Sequence, residues 1–491
     1  LRRQRQMCIR DRSIDFLALK FHASIEIDWI TGMIDWAADI LKSDKPLYLA
    51  IADAIEAGLA AGTLAAGDRL PPQRKLASRL GVDFTTVARG YSEAARRGVL
   101  DSTVGRGSFV RSRARSGSKT SLRAAPVDLT MNLPPDPDDP ALIARMQAGL
   151  EEVARDLVPL LHYQSFGGSP QAKDAASSWL GRRGLVPSQE RLFICPGAHP
   201  ALSGIFSLLI QPGDTVLCES ITYPGVRAIA AQHKAQLYGL AMDEHGILPE
   251  ALADLCSRAR PKALYLNPTL QNPTTLTLPA HRREALTEIV RRHRLPIIED
   301  DAYGFIPAHA PPPFAALAPE LTWHIAGLAK CFGAGLRIAY VIAPDAKAGW
   351  NFAALMRANI VMASPITAAL ATRWIEDGTG DSILRFIRTE TAARQKLAAE
   401  LLPPGLCQTD PLSFNLWMNL PGGWSRAAFA GQMRAVGIGV VTSDAFSVSS
   451  NPPEAARICL GGPTSRAELQ SALTFMAHSL SNSPAATSDI F

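Results

Sequence analysis

Residues 67–91 read GDRLPPQRKLASRLGVDFTTVARGY. The two prolines suit the start of a short helix that ends at Leu80, because proline fits the first turn of a helix. The following glycine permits a tight turn, and the Asp83 side chain is suited to cap a second helix that starts at Phe84 and runs to about Arg97. Two short helices joined by a glycine turn predict a helix-turn-helix.

The flanking segments extend this unit into a winged helix-turn-helix. Residues 46–61 are predicted to form an amphipathic helix, because apolar side chains recur at every fourth position. Those side chains are Leu47, Ile51, Ile55 and Leu59. Residues 99–110 alternate weakly around Gly105-Arg106-Gly107, a pattern typical of a hairpin with a glycine tip. The order of these elements predicts one domain over residues 45–112.

The first residues of the second helix are candidates for contact with DNA. In a helix-turn-helix this helix lies in the major groove, and its first turn reaches the base edges. Hydroxyl groups there suit phosphates or bases, and an arginine can pair with guanine or hold a phosphate. The glycines at the hairpin tip leave room for a close approach to a minor groove. The predicted DNA-binding residues are Arg74, Thr85, Thr86, Arg89, Arg106 and Gly107.

Positive charge is concentrated in the front part of the chain. Residues 45–112 carry a net charge of +4 and residues 113–123 add four positive charges, whereas residues 124–491 sum to −3. Only the front is therefore expected to meet a polyanion such as double-stranded DNA. Residues 113–127 contain few apolar side chains, which predicts a flexible basic linker.

Residues 128–480 alternate between helical patterns and short apolar runs. The runs include Leu192–Cys195, Thr215–Cys218, Ala263–Leu266, Pro296–Ile298, Trp323–Ile325 and Ile338–Ile342. Short apolar runs between helices predict an α/β domain with a mostly parallel sheet that is buried on both faces. Residues 402–475 are predicted to form a small C-terminal α+β subdomain.

Composition argues against several classes of protein. The chain has 491 residues, of which 47% are apolar and 19% charged, as is usual for a soluble protein. No apolar run reaches the roughly eighteen residues that a membrane span needs. The seven cysteines never form a CxxC pair, which argues against a zinc site or a disulfide framework and favours the cytoplasm. We predict no metal site.

The two ends of the chain are predicted to be tails. Residues 1–44 form the N-terminal tail, and five arginines fall among its first twelve residues without a helical or strand period. Residues 1–32 are expected to precede the natural start of the protein, which we place at Met33. Residues 481–491 form the C-terminal tail.

The sequence of the front domain closely resembles the GntR-type winged-helix family over residues 45–112. The resemblance is carried by the Gly67–Tyr91 stretch quoted above. It implies binding to double-stranded DNA. Phe84 and Ala88 stand where relatives often carry arginine, so the resemblance does not imply an operator sequence.

A second set of motifs is spread along the larger part of the chain. It comprises Gly197-Ala198-His199, Tyr223-Pro224-Gly225, Gln271-Asn272-Pro273-Thr274, Asp300-Asp301-Ala302-Tyr303, Lys330, Arg337 and Arg457. In this order and at this spacing, the set resembles fold-type I, aspartate-aminotransferase-like proteins that bind pyridoxal 5′-phosphate. The resemblance covers roughly residues 130–475.

The resemblance implies a role for each residue that would face the cofactor ring. The amine of Lys330, the predicted catalytic residue, would bond covalently to the cofactor aldehyde. Asp300 would keep the ring nitrogen protonated, so that the ring can accept electrons. Asn272 and Tyr303 would donate to the phenolic oxygen, and Tyr223 would stack on the ring.

The resemblance also implies two sites for anions. Arg337, together with the start of a helix at Ala198 and His199, would bind the cofactor phosphate. Arg457 would bind the α-carboxylate of an amino acid. Two serines that often precede the family's lysine are absent from Gly327–Lys330, and Ala198 replaces a hydroxyl residue. At about 0.5–1.5 kcal/mol for each lost hydrogen bond, cofactor affinity is expected to fall by roughly one or two orders of magnitude.

A GntR-type front joined to an aminotransferase-like body resembles the MocR regulators. This resemblance implies a homodimeric transcription regulator, in which the large domain senses an amino-acid-like compound or an amine and re-aims the DNA-binding domains. An active aminotransferase with an accessory DNA-binding domain is the main alternative, and residual transaminase activity fits both hypotheses. A third hypothesis is a DNA-binding protein whose pocket no longer holds the cofactor.

Overall fold

The fold is described by a computed structural model that covers residues 37, 40, 43, 45–61, 63–65, 67–103, 107–110 and 127–482. Arg106, the predicted linker up to residue 126 and residues 483–491 of the predicted C-terminal tail lie outside the described residues. The chain divides into two compact units, Leu1–Ser121 and Leu122–Phe491. None of the described helices is long and apolar enough to cross a membrane.

The smaller unit has the predicted order of helix, helix, turn, helix and hairpin. Its elements are α1 (Leu47–Ala61), α2 (Gln73–Leu80), α3 (Phe84–Arg96), β1 (Leu100–Thr103) and β2 (Gly107–Val110). Gly81 ends α2 in the left-handed conformation, with φ at 65°. The Asp83 carboxylate caps α3 by accepting from the backbone N–H of Thr85 at 2.8 Å. Strands β1 and β2 pair antiparallel.

Helices α1 and α3 pack closely in the core of the smaller unit. Val87 and Tyr91 of α3 are buried in one cluster with Ile51 and Ile55 of α1. Gly90 makes this approach possible, because a Cβ atom at its position would lie 2.8 Å from Cγ2 of Ile51.

The larger unit begins with a short strand and is built around a central sheet. Its elements up to that sheet's last strand are β3 (Val127–Asp128), α4 (Pro140–Arg155), α5 (Leu157–Leu160), α6 (Pro170–Gly181), β4 (Leu192–Cys195), α7 (Ala198–Leu209), β5 (Thr215–Glu219), α8 (Pro224–Gln232), β6 (Gln236–Leu240), β7 (Met242–Asp243), β8 (Gly246–Ile247), α9 (Pro249–Ala259), β9 (Ala263–Leu266), α10 (Ala280–His293), β10 (Ile297–Asp300), α11 (Phe314–Leu317), β11 (Thr322–Gly327) and β12 (Ala339–Ile342). The elements that follow are α12 (Ala346–Ile360), α13 (Pro365–Glu376), α14 (Thr379–Leu401), β13 (Cys407–Gln408), β14 (Asn415–Asn419), α15 (Arg426–Ala435), β15 (Ile438–Gly439), β16 (Val441–Thr442), β17 (Ala455–Cys459) and α16 (Arg466–Ser481).

The central sheet has seven strands in the order β4-β12-β11-β10-β9-β5-β6. Only β12 runs antiparallel to its neighbours. Adjacent residues of a strand enter different apolar clusters: Ile194 packs with Trp179, whereas Phe193 packs with Phe206. The sheet is therefore covered on both faces, and the predicted fold class is confirmed. The sequence prediction missed the edge strand β6, which exposes 51% of Tyr238 and so lacks a continuous apolar run.

A second sheet forms the C-terminal subdomain. It has four antiparallel strands in the order β13-β14-β17-β16 and packs with α15 and α16. The first strand of the larger unit joins this region, because Val127 and Asp128 pair in parallel with Ile438 and Gly439. Residues 402–475 alone therefore do not make up the subdomain.

Candidate functional site

A cavity of about 400 Å³ lies where β4, β10 and β11 end. The carboxyl ends of parallel strands are the usual place for a ligand in a sheet of this kind. The nine residues that the sequence predicts for the cofactor and for a substrate carboxylate all line this cavity. They are Ala198, His199, Tyr223, Asn272, Asp300, Tyr303, Lys330, Arg337 and Arg457.

Asp300, the last residue of β10, presents a buried carboxylate to the cavity. The hydroxyl of Tyr265 donates to its Oδ2 at 3.0 Å, and Asn267 Nδ2 donates to its main-chain oxygen at 2.6 Å. Its Oδ1 has no hydrogen-bond partner among the described residues. Burial raises the pKa of Asp300 to about 6. A protonated ring nitrogen placed in the cavity would satisfy Oδ1 and favour the ionised carboxylate.

Lys330 follows β11 in a short 3-10 turn at the cavity wall. Its Nζ donates to the main-chain oxygen of Asn132 and lies 5.7 Å from the centroid of the Tyr303 ring. The Lys330 side chain is half-buried at the cavity wall, and this burial removes water from its ammonium group. This desolvation lowers the pKa of Lys330 to about 8, so a sizeable fraction of the amine is neutral in mildly alkaline solution.

Positive charge gathers at the start of α7. Gly197 precedes this helix with φ at 102°, and a Cβ atom there would lie 2.9 Å from Nη2 of Arg337. The glycine thus leaves room for the guanidinium beside the backbone N–H groups at the helix start. Partial burial and the Arg337 charge lower the pKa of His199. Ala198 and Ala329 present only methyl groups to the cavity, where the family often places hydroxyls.

Arg457 of β17 is buried and lies beside Asn272. Its Nη1 donates to Oδ1 of Asn272 at 2.7 Å, its Nη2 donates to the main-chain oxygen of Thr130, and its Nε has no partner among the described residues. The guanidinium carbon is 4.9 Å from the centroid of the Phe446 ring. Because Asn272 uses its oxygen for Arg457, its amide nitrogen remains the donor that it can offer to a ligand.

Two tyrosines complete the cavity wall. Asn132 Nδ2 donates to the hydroxyl of Tyr303 at 3.0 Å. The Tyr223 ring lies over Gly225, where a Cβ atom would be 2.2 Å from the ring. Burial raises the pKa of both tyrosines, so both hydroxyls stay protonated. 

Four residues that hold these groups in place were not predicted from the sequence. They are Thr130, Asn132, Tyr265 and Asn267. Asn267 directly follows a buried apolar run, which is a signal that would have identified it. Nothing in the local sequence marks the other three.

The cavity groups fit pyridoxal phosphate. The fit is carried by an unpaired buried carboxylate oxygen on Asp300, a desolvated amine on Lys330, and a guanidinium at the start of α7. Among the described residues, no cluster of three or more His, Cys, Asp or Glu side chains could hold a metal ion.

The predicted DNA-binding residues of the smaller unit differ in their availability. Thr85 is exposed, but its hydroxyl donates to the Asp83 carboxylate and so serves the helix cap. Arg89 is exposed, and its guanidinium carbon lies 4.4 Å from the centroid of the Tyr48 ring. Arg74 is exposed on α2, whereas Thr86 is half-buried. Gly107 starts β2.

Comparisons with known proteins match both units. The model of the aminotransferase class I and II family matches residues 125–475, and the model of the gntR family of bacterial regulatory proteins matches residues 47–110. The uncharacterized HTH-type transcriptional regulator YdeF of Bacillus subtilis is 29% identical, over 90% of this chain and 96% of its own length. The vitamin B6 salvage pathway transcriptional repressor PtsJ of Salmonella typhimurium is 27% identical, over 84% and 93%. An archaeal alanine:glyoxylate aminotransferase structure aligns with a TM-score of 0.66 and 24% identity, over 73% of this chain and 91% of its own.

Proposed function

The chain belongs to the aminotransferase class I and II family and carries a gntR-family domain at its front, and we propose that it is a transcription regulator that binds double-stranded DNA and pyridoxal phosphate. It senses an amino-acid-like compound or an amine, and it acts in the cytoplasm on the nucleoid. The observation that carries the proposal is the joining, in one chain, of a winged helix to a cavity with Lys330 and the unpaired Asp300 carboxylate. YdeF aligns over 90% of this chain and is named as a transcriptional regulator, and PtsJ aligns over 84% and is named as a transcriptional repressor.

Each cavity residue has a part in holding the ligands. When bound, pyridoxal phosphate supplies an aldehyde that bonds reversibly to amines. Lys330 would hold it through its amine, and Asp300 would keep a proton on the ring nitrogen. Arg337 and the N–H groups at the start of α7 would bind the phosphate. Arg457 would bind the carboxylate of an amino acid, which is why an amino acid is the preferred ligand class.

Ligand binding would be coupled to DNA binding through the segment that enters the larger unit. This segment, residues 127–133, starts at the last residue of the predicted linker. Its main chain accepts hydrogen bonds from Arg457 at Thr130 and from Lys330 at Asn132. A ligand that binds to either side chain would therefore alter the hydrogen bonds of the segment next to the linker. This segment would connect ligand binding in the cavity with DNA binding by the smaller unit.

The homodimer is supported by an apolar segment on the surface of the larger unit. Val158 and Leu161 are each about two thirds exposed, and Tyr163 is 87% exposed. Contiguous exposed apolar side chains of this kind are typical of a surface that a second subunit covers.

The proposal is tested with purified protein and added pyridoxal phosphate. The protein should become yellow, and the visible absorbance should be absent from Lys330→Ala. Its binding to DNA from its own upstream region should weaken steeply with salt. Arg89→Ala should weaken this binding, whereas the control Arg96→Ala, at the other end of α3, should not. A colourless wild type in excess cofactor would contradict the cofactor half of the proposal. An unchanged affinity in Arg89→Ala would contradict the assignment of this helix to DNA.

A working aminotransferase is the second candidate, because Lys330, Asp300 and Arg457 line one cavity. Sustained conversion of common amino and keto acids, together with DNA binding that no amino compound alters, would favour this enzyme over the regulator.

A further inference from the structure

Phe84 is the first residue of α3, and 42% of it is exposed. No other large apolar residue is as exposed among the described residues of the smaller unit. Val87 and Tyr91, which follow on the same helix, are almost completely buried. Burial in the core of its own unit therefore does not account for an aromatic side chain at this position.

The ring lies at the exposed start of α3. At about 100° per residue, Phe84 lies at the edge of the side that packs in the core, about 60° from Val87, and about 140° from Arg89. The ring is exposed because Phe84 begins the helix. In a helix-turn-helix the start of this helix enters the major groove, so Phe84 is placed to approach base edges.

Arg74 places a positive charge close to the ring, which suits a ligand that carries both negative charge and an apolar group. The guanidinium carbon of Arg74 lies 5.7 Å from the centroid of the Phe84 ring, so a phosphate bound by Arg74 would be next to the ring. The neighbouring Asp83 carboxylate accepts from the backbone N–H and the hydroxyl of Thr85. The Thr85 hydroxyl hydrogen is therefore engaged, and the phenyl ring is an exposed apolar group at the front of the helix that can distinguish bases.

We propose that Phe84 contacts the 5-methyl group of a thymine in the major groove of the operator. This inference rests on the proposed function, since it requires DNA to bind the smaller unit. Among the groups that base pairs present in the major groove, the thymine methyl is the apolar one. A phenyl ring makes no hydrogen bond to the N7 or O6 atoms of guanine. Phe84 therefore selects an A·T pair at one position of each half-site.

The experiment uses the full-length protein and begins with selection of bound duplexes from a random library. Each thymine of the selected duplex is then replaced singly by uracil, which removes only the methyl group. For wild type, one position per half-site should lose affinity by about fourfold, the value of one methyl group withdrawn from water. In Phe84→Ala this loss should disappear at that position and persist at any other sensitive thymine.

Two further variants keep the result interpretable. Phe84→Leu retains an apolar side chain and should keep part of the effect, and it supplies the uracil profile if Phe84→Ala binds too weakly to measure. Tyr238→Ala removes an exposed aromatic ring from the larger unit and should show the wild-type profile. The salt dependence should be the same in all Phe84 variants, because no charge is removed.

The outcomes separate this inference from the proposed function. A wild type that tolerates uracil at every position, or a Phe84→Ala profile identical to that of wild type, overturns the contact while DNA binding stands. A wild type that retains no duplex overturns the proposed function, and the contact with it.

Discussion

We expect Asp300→Asn to stabilise the cofactor-free protein and to weaken its binding of pyridoxal phosphate. Asp300 is buried and its Oδ1 has no partner among the described residues. Burial raises its pKa from the ordinary 3.8 to about 6. For an acid, a raised pKa in the folded state means that stability is lost as pH rises between these two values. A shift of one pKa unit corresponds to about 1.4 kcal/mol. Above pH 6 the free energy of unfolding is therefore lowered by a constant amount of about 3 kcal/mol.

The assay is urea unfolding of the cofactor-free proteins, followed by tryptophan fluorescence. Six of the eight tryptophans lie in the larger unit, so the signal mainly reports its unfolding. Asparagine carries no charge and removes the penalty. The variant should be more stable than wild type by about 3 kcal/mol at pH 8, and by about half as much at pH 5, where wild-type Asp300 is largely protonated in the fold.

Asp301→Asn is the matched control, because it should change stability in the opposite direction. Burial raises the pKa of Asp301, but Arg183, His324 and Arg283 outweigh this effect and hold the pKa below its usual value. Arg183 lies 3.3 Å from its carboxylate. Removing this charge should destabilise the protein at pH 8. The reasoning is refuted if Asp300→Asn is no more stable than wild type at pH 8, or if its advantage does not shrink at pH 5.

Two further predictions concern the smaller unit and the ligand. Gly90→Ala should destabilise the smaller unit by about 1–3 kcal/mol, because the added Cβ atom would overlap Ile51. The variant should lose DNA binding and keep the cofactor absorbance of wild type. A DNA affinity equal to that of wild type would show that the close contact of α1 and α3 is not required. Arg457→Gln should weaken the apparent affinity for amino acids, read from the cofactor absorbance, by roughly 10- to 100-fold, the value of a charge-assisted pair. The affinity for amines that lack a carboxylate should not change. An equal loss for both ligand classes would rule out a carboxylate contact.

Local patterns in the sequence predicted the elements that depend on nearby residues. Helix α3 begins at Phe84 because the Asp83 side chain accepts from the backbone N–H of Thr85. The spacing of these two residues can be recognised in the sequence. The same spacing would have shown that the Thr85 hydroxyl serves the cap. Most strands of the central sheet were found because burial on both faces leaves continuous apolar runs.

Features that join distant segments were not predictable from local patterns. Val127 pairs with Ile438, and Asn132 reaches both Tyr303 and Asn415 across long stretches of chain. Tyr265 looks like any core residue of a buried strand, and only the fold places its hydroxyl against Asp300. The cavity residues came from a family resemblance, whereas the groups that orient them came from the structure.

Residues 127–133, where the chain enters the larger unit, would also bear a mechanical load applied through the linker. A pull on the linker is first resisted by the pairing of β3 with β15, and then by the hydrogen bond from the Cys459 N–H to the main-chain oxygen of Leu129. Two of the carbonyls that follow, those of Thr130 and Asn132, accept hydrogen bonds from Arg457 and Lys330. Tension from a DNA-bound front domain would therefore reach the two side chains that are proposed to hold the ligands.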